Sequence, residues 1–319
     1  MNAFCFIIID YYSFERTCEY LKHLDNYFDN NFLIKAVVID NSNNKKNFIN
    51  LIRALENNFA KSKKLNTNNY FIKTKNIEVI MVDPEENLGY AKGNNYGAKV
   101  AEEHFEFDYY IFSNNDIVIK NLDLTKIKVY FKNNIHTAIL GIKQLDLKGV
   151  NQNPRKNTNI WRKLIIPNLF NLFLNARLTN RIINDKYSLD SLDTMPIEVD
   201  WVSGAFFIVR KEVFNMVNGF DQNTFLFAEE PIICDKVRKF KQKVVYFPYS
   251  EILHEHGGTT KKQSSILIEN INFNSHYYYF KEYVKSNTFE LIIAKISYKI
   301  YVNLFRPIKL LIKKILSLR

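Results

Sequence analysis

Tyr109-Tyr110-Ile111-Phe112-Ser113-Asn114-Asn115-Asp116-Ile117-Val118-Ile119 is the stretch on which the reading of this chain turns. Its first half is aromatic and β-branched, which reads as a buried strand. Three polar residues then interrupt the run, the last of them a carboxylate, before apolar residues resume. Burying polar groups without partners is costly. Asn114-Asn115-Asp116 therefore reads as a strand end that meets a cation or water at a cleft. Ligands of open α/β sheets gather at the carboxyl ends of strands.

Upstream, strands and helices alternate. Phe4 to Ile9 predicts a strand, Phe14 to Phe28 a helix, Ile34 to Ile39 a strand and Asn47 to Phe59 a helix. Ile77 to Val82 predicts a third strand and Tyr90 to His104 a third helix. Lys61 to Lys75 is rich in Lys and Asn and reads as a solvated loop. This alternation is the pattern of a mostly parallel sheet covered by helices on both faces.

Downstream, Ala138 to Ile142 and Val244 to Phe247 predict strands, and Val199 to Val209 reads as a strand around Ser203-Gly204. Ile160 to Leu178 predicts a helical excursion and Val213 to Val217 a short helix ended by Gly219. Glu229 to Phe240 predicts a helix with Pro231 in its first turn, where a missing N–H does no harm. From Glu290 the character changes. Lys295, Lys299, Arg306, Lys309 and Lys313 fall within about a quarter of a helix circumference, with apolar residues filling the rest. Pro307 should kink that helix.

Composition narrows the class. The chain has 319 residues, of which 47% are hydrophobic and 24% charged, as in an ordinary globular protein. Its formal charge of +11 suits nucleic acid, anionic lipid or a polyanionic substrate. That charge concentrates in the tail and in Lys61 to Lys75, and no motif that reads DNA or RNA is present, so nucleic acid is not an expected partner. Three scattered cysteines without Cys-x-x-Cys exclude a disulfide framework and a thiolate zinc site, which fits a reducing compartment. The short apolar start reads as a first strand, not a signal peptide. No apolar run is long enough for a transmembrane helix.

Several groups of residues bear chemistry. Asp10 and Asp40 each follow an apolar strand, where an acid accepts from a base or ribose, or else serves a turn or helix cap. Asn87-Leu88-Gly89-Tyr90-Ala91-Lys92-Gly93-Asn94-Asn95 follows a strand and opens a helix, so its amides can face a diphosphate while Lys92 adds charge. The spacing is not that of a dinucleotide fingerprint, and a plain turn with a helix cap remains open. Asp116 as a metal ligand needs a partner, and His254, before Gly257-Gly258, is the best candidate. Mg²⁺ or Mn²⁺ suits carboxylate, phosphate and water ligands. Glu229-Glu230 follows Phe225-Leu226-Phe227-Ala228 and reads either as surface charge at a helix start or as a pair holding a general base.

Taken together, these segments resemble a family-2 glycosyltransferase of the rhamnosyltransferase-like branch. The likeness covers Phe4 to about Thr260. It rests on Asp40-Asn41-Ser42, Asn87 to Asn95, Asn114-Asn115-Asp116, Trp201-Val202-Ser203-Gly204-Ala205, Gly219-Phe220-Asp221, Phe225 to Glu230 and His254-x-x-Gly257, in that order. The resemblance implies a GT-A fold: an α/β, Rossmann-like mixed sheet flanked by helices over residues 1–260, with a helical basic extension over 261–319. It implies an inverting transfer from a UDP- or dTDP-sugar to a glycan or lipid-linked acceptor in bacterial surface polysaccharide synthesis. Asp10, Asp40, Asn87, Gly89, Lys92, Gly93, Asn94 and Asn115 would serve the donor, and Asp116 with His254 the cation. Trp201, Gly204 and Ala205 would face the acceptor. Glu230 would be the base, with Glu229 the fallback.

The sequence departs from the family pattern at Asn114, where an acid is usual, and at Glu230, where Asp is usual. A catalytically impaired homologue that only binds sugar nucleotides or glycans is the alternative. The basic amphipathic segment from Glu290 to Arg319 predicts contact with the inner face of a membrane or packing on protein. A homo-oligomer is compatible with either.

Overall fold

The computed structural model describes residues 4–28, 34–170, 176–187, 194–255 and 265–316. Its centre is one sheet. The N-terminal half supplies β1 (Phe4–Asp10), β2 (Ile34–Asp40), β3 (Lys63–Lys64), β4 (Asn69–Lys73), β5 (Ile77–Val82), β6 (Tyr109–Ser113) and β7 (Ile117–Asn121). The C-terminal half adds β8 (Thr137–Asp146), β9 (Ile197–Glu198), β10 (Phe206–Arg210) and β11 (Lys243–His254). The strand order is β3-β4-β5-β2-β1-β6-β10-β8-β11-β7, with β9 paired to β11. β5, β2, β1 and β6 run parallel. β10 opposes both β6 and β8. The sheet is therefore mixed, as the resemblance implied.

Side-chain alternation divides the core. Phe4, Phe6 and Ile8 point to one face with Ile34, Ala36 and Val38, while Cys5 and Ile7 point to the other with Val37 and Ile39. The first face is covered by α1 (Phe14–Tyr27), α2 (Lys45–Asn58) and α4 (Leu124–Asn133). The second is covered by α3 (Gly89–His104), α7 (Lys211–Met216) and α8 (Glu229–Lys239). Between α4 and α7 lie a π-helical turn (Trp161–Ile165), α5 (Ile166–Leu169) and α6 (Ala176–Ile183).

The chain ends in α9 (Ser265–Glu282), α10 (Thr288–Ile300), a second π-helical turn (Tyr301–Phe305) and α11 (Arg306–Leu316). This extension shares a third core with the body. Phe273, Tyr279, Phe280 and Ala294 pack with Ile160, Leu164, Ile165, Ala228 and Ile232.

Several expectations change. Lys61 to Lys75 is not a loop: β3 and β4 form a hairpin on the sheet edge, with Tyr70 and Phe71 opposite Met81 and Ile80. Frequent Lys and Asn hid a strand whose one strongly buried apolar residue is Ile72. Val199 to Val209 is strand only from Phe206, because Ser203-Gly204 turns instead of pairing. The strand expected to end at Asp116 ends at Ser113, and the apolar run after the interruption forms a separate strand, β7. Two of the tail's cations have partners on the extension itself: Lys295 lies over the Tyr277 ring and Arg306 pairs with Glu269 at 2.9 Å. The tail does depart from regular α geometry just before Pro307, at the turn Tyr301–Phe305, because proline has no N–H to return.

Candidate active site

The carboxyl ends of β1, β2 and β6 lie side by side, with Asp10 opposite Asp40 and Ile8 opposite Ser113. The backbone leaves β6 at Ser113, and the Asn114 N–H donates to the Ala205 carbonyl at 2.8 Å. It turns through Asn115-Asp116 and re-enters the sheet as β7, beside β11. Ile117 faces His254 across that pairing. The topology therefore brings residues 116 and 254 together, with His254 Nε2 lying 3.2 Å from Asp116 Oδ1.

Both side chains of this pair are buried. Burial pushes the Asp116 carboxyl up, but His254 and Arg16 outweigh it and hold the carboxyl below its usual range. Arg16 Nη1 stands 3.8 Å from Asp116 Oδ2. Apart from His254, Asp116 Oδ1 has no hydrogen-bond partner among the described residues, which leaves a buried anionic oxygen able to take a further ligand. The second nitrogen of His254, Nδ1, is 3.1 Å from Gln144 Nε2, and Gln144 Oε1 is buried without a partner. A rotated Gln144 amide would accept from Nδ1–H and free Nε2 to bind a metal. The donor set of carboxylate and imidazole fits a divalent ion whose remaining ligands are phosphate and water. Among the described residues no three His, Cys, Asp or Glu side chains cluster as metal ligands.

The neighbouring cleft has a volume of about 490 Å³. Asn87, Gly89, Asn115, Gly204, Ala205, Glu229, Glu230 and His254 all line it. Two loops form its walls, and they are joined. Gly89 has φ +70°, and a Cβ there would lie 2.2 Å from the Phe225 carbonyl oxygen. The Tyr90 N–H donates to that same oxygen at 2.8 Å. The Tyr90 hydroxyl donates to the Gly204 carbonyl at 2.7 Å. Asn41 ties the loop to β2, accepting from Leu88 N–H at 2.8 Å and donating to the Gly89 carbonyl at 2.9 Å.

Phe227 and Ala228 both have positive φ, at 73° and 66°. Left-handed backbone costs roughly 1–2 kcal/mol per such residue, so the surrounding packing must hold this turn. It delivers two carboxyls to α8. Glu230 accepts from the Gly204 N–H at 3.2 Å. A Cβ on Gly204 would come within 2.5 Å of Glu230 Oε1, so this approach requires glycine. Burial raises the Glu230 carboxyl, while backbone N–H groups, Arg155 and Lys163 draw it back. Glu229 is 3% exposed and its Oε1 has no partner. Burial and then the Glu230 charge push Glu229 well above the carboxylate range.

Other candidates lie elsewhere. Asp10 is fully buried and accepts from Thr17 Oγ1 at 2.6 Å and Asn47 Nδ2 at 3.0 Å. Asp40 accepts from the same Asn47 Nδ2 at 3.0 Å, and its Oδ2 is unpartnered. Neither acid lines the cleft. Lys92, Gly93 and Asn94 do not line it either. Lys92 is exposed, Gly93 lets α3 approach Ile9, and Asn94 donates to the Tyr90 carbonyl within its own helix. Helical periodicity explains this: only the first residues of α3 face the sheet edge. Trp201 lies in an adjoining hollow, under the Arg155 guanidinium at 5.6 Å. Arg155 and Tyr11 line the cleft without having been singled out. Arg155 sits in a loop with no local pattern, so only the assembled fold reveals it. His256 and Gly257-Gly258 lie outside the described residues.

A sheet edge with a metal-fitting acid–histidine pair, a diphosphate-sized cleft and an opposing carboxyl defines a class, and the comparisons agree. GalNAc-T7, solved with UDP, GalNAc and Mn²⁺, matches with TM-score 0.57 and 12% identity over 97% of this chain and 57% of that one. Staphylococcus aureus TarS 1–349, solved with UDP-GlcNAc, matches with TM-score 0.52 and 13% identity over 93% and 79%. The fold is that of the GT-A glycosyltransferases.

Rhamnosyltransferase WbbL of Escherichia coli K12 is 26% identical over 170 residues, 52% of this chain and 60% of the relative. The Mycobacterium tuberculosis N-acetylglucosaminyl-diphospho-decaprenol L-rhamnosyltransferase is 32% identical over 74 residues, 23% of this chain and 24% of that one. The chain thus matches less than two thirds of the length of either relative. No family profile matches it. In sequence the chain is similar to rhamnosyltransferases over these segments, and in fold to the GT-A glycosyltransferases.

Proposed function

We propose that the chain is an inverting glycosyltransferase of cell-surface polysaccharide synthesis. It moves a sugar from a nucleotide-diphosphate donor to a hydroxyl of a glycan or lipid-linked saccharide. The observation that carries this reading is the convergence of His254, the Asn87-to-Gly89 loop and Glu230 around one cleft, with Asp116 beside it in contact with His254. The relatives' names add a rhamnosyl donor class and a diphospholipid acceptor. The solved neighbours carry UDP or UDP-GlcNAc, and one carries Mn²⁺, which supports a UDP- or dTDP-sugar and a divalent ion here.

Asp116 and His254 would hold Mg²⁺ or Mn²⁺, which supplies charge neutralisation at the departing diphosphate. Asn87 and Gly89, which line the cleft before α3, would contact the donor. Glu230 is the base and Glu229, held protonated, is its neutral neighbour. As the acceptor oxygen bonds to the anomeric carbon, the bond from that carbon to the diphosphate oxygen breaks. The acceptor proton passes to Glu230 on the face opposite the leaving group, which gives inversion. A positioned base contributes about 10²–10⁴-fold.

The enzyme works at the cytoplasmic face of a membrane. Phe289, Ile292, Ile296, Leu304, Leu311 and Ile315 are exposed along α10, the turn Tyr301–Phe305 and α11, and Lys299 and Lys309 are exposed among them. Each cation near an anionic surface adds about 1 kcal/mol. No helix among the described residues is long and apolar enough to cross a membrane. Ile292→Asp with Ile296→Asp should release the protein from anionic liposomes, and undiminished sedimentation would refute this contact.

A thermal-shift panel of nucleotide sugars with and without Mn²⁺ tests the donor and the ion. Glu230→Gln should retain donor binding and lose turnover. Asn114 in place of an acid favours a second reading, a sugar-nucleotide-binding homologue without activity. A wild-type chain that binds donor but transfers no sugar to any lipid-linked acceptor would select it.

A further inference from the structure

Beyond Glu230 the cleft continues into a second hollow of about 220 Å³. Arg155, Ser203, Phe227 and Glu230 belong to both spaces, so the two adjoin at the carboxyl. The walls come from three parts of the chain that are distant in sequence. The loop before the first π-helical turn gives Arg155 and Lys156, and that turn gives Lys163. Glu230 comes from α8, and Asn272 and His276 come from α9.

Cations dominate this hollow. Arg155, Lys156 and Lys163 face two carboxylates, Asp185 and Glu230. Arg155 Nη1 already pairs with Asp185 Oδ1 at 3.0 Å. Glu230 uses one oxygen on the Gly204 N–H. The Lys163 ammonium has neither a hydrogen bond nor an ion pair among the described residues. Burial pushes its pKa down, and the charges of Asp185 and Glu230 draw it partly back against that of Arg155. His276 adds no charge, because burial holds its ring neutral at about 3 and its Nδ1–H donates to the Asn272 carbonyl at 2.9 Å. A hollow in which three cations meet two carboxylates, with Lys163 outside any ion pair among the described residues, suits an anion.

We propose that this hollow seats a phosphate or diphosphate ester carried by the acceptor, with Lys163 as its principal ligand and Arg155 beside it. The word acceptor rests on the glycosyl-transfer reading; the anion site does not. Glu230 then has the acceptor's anionic group on one side and the donor on the other, so its hydroxyl is presented at the carboxyl that removes its proton. The π-helical turn bearing Lys163 is braced from the extension, since Trp161 Nε1 donates to Glu290 Oε1 at 2.9 Å. The exposed apolar residues of α10 belong to that same helix, which places a lipid-compatible surface on the element supporting the anion site.

Calorimetric titration of the full chain with inorganic pyrophosphate, in EDTA, tests this. Without a divalent ion Asp116 repels pyrophosphate, so binding reports on the hollow. Wild-type protein should bind, Lys163→Met should bind about tenfold more weakly, and Lys163→Arg should stay close to wild type. No binding by wild-type protein, or equal binding by Lys163→Met, overturns the proposal. Binding strengthened by Asp116→Asn instead assigns the anion to the donor cleft and also overturns it. Geranyl diphosphate separates the sources: binding at least as tight as pyrophosphate supports a lipid-linked ester, and its exclusion overturns that assignment. In a transfer assay Lys163→Met should raise the acceptor KM with the donor KM unchanged. A chain that binds pyrophosphate through Lys163 but transfers no sugar would sink the enzymatic reading and leave the site standing.

Discussion

Glu229 and Glu230 are adjacent in sequence and differ in surroundings. Glu230 meets a backbone N–H and the field of two cations, whereas Glu229 is enclosed beside a negative neighbour. Glutamine mimics a protonated glutamate, so Glu229→Gln should cost turnover less than about tenfold, while Glu230→Gln should cost about 10²–10⁴-fold. Steady-state rates of the two variants check this, and the reverse order would exchange their roles. Asp40 gives a stability test. Burial pushes its carboxyl up to about 6. A folded value above the unfolded one favours the protonated, folded state, so stability is full below the unfolded value and falls as pH rises through about 6. Asp40→Asn should remove that decline and raise stability at pH 7 by on the order of 2 kcal/mol, as read by denaturant melts from pH 4 to pH 7. Gln144→Ala should weaken Mn²⁺ binding about 10–100-fold by releasing the His254 ring, measurable by metal titration. The sequence alone pointed to Asp116, His254 and the acidic pair, because each breaks an apolar run or follows one. It gave no sign of Gln144, Arg155 or Lys163, whose neighbours are supplied by other parts of the chain.

At the level of elements, β1, α1, β2, α2, β5 and α3 were legible because their periodicities of two and 3.6 are undisturbed. The hairpin of β3 and β4 was not, since an edge strand buries little and tolerates Lys and Asn on its open side. Nor was the split at Asp116, because β7 is defined by a partner, β11, more than a hundred residues away. Lys92, Gly93 and Asn94 show the complementary error. Within their motif Asn87, Gly89 and Tyr90 reach the cleft, whereas Lys92 is exposed and Gly93 and Asn94 serve helix packing. The α3 start is the most exacting position. Gly89→Ala should destabilise the fold by about 2 kcal/mol or more, from left-handed strain and the clash with the Phe225 carbonyl. Thermal melts would show it, and an unchanged midpoint would disprove the rigidity of this contact.

At the level of the molecule, Asp221 fastens the body to the extension. Tyr278 and Tyr283 of the C-terminal segment donate to its Oδ2, the former at 2.8 Å. Burial raises this carboxyl, and the hydrogen bonds from Tyr283, Asn223 and Tyr278 outweigh it and hold it low. A lowered folded value stabilises above the unfolded pKa and is lost as pH falls through the folded one. Asp221→Asn should therefore lower stability near pH 7 by about 1 kcal/mol after screening. It should also speed hydrogen exchange in α9 first; uniform exchange would refute the fastening. The joined walls of the cleft have a practical consequence for anyone hoping to retrain the protein toward a bulkier sugar. Because the Phe225 carbonyl rivets both loops, widening the mouth from one side drags the opposite side along. Successful redesign will come from paired substitutions chosen together, one on each side of the rivet.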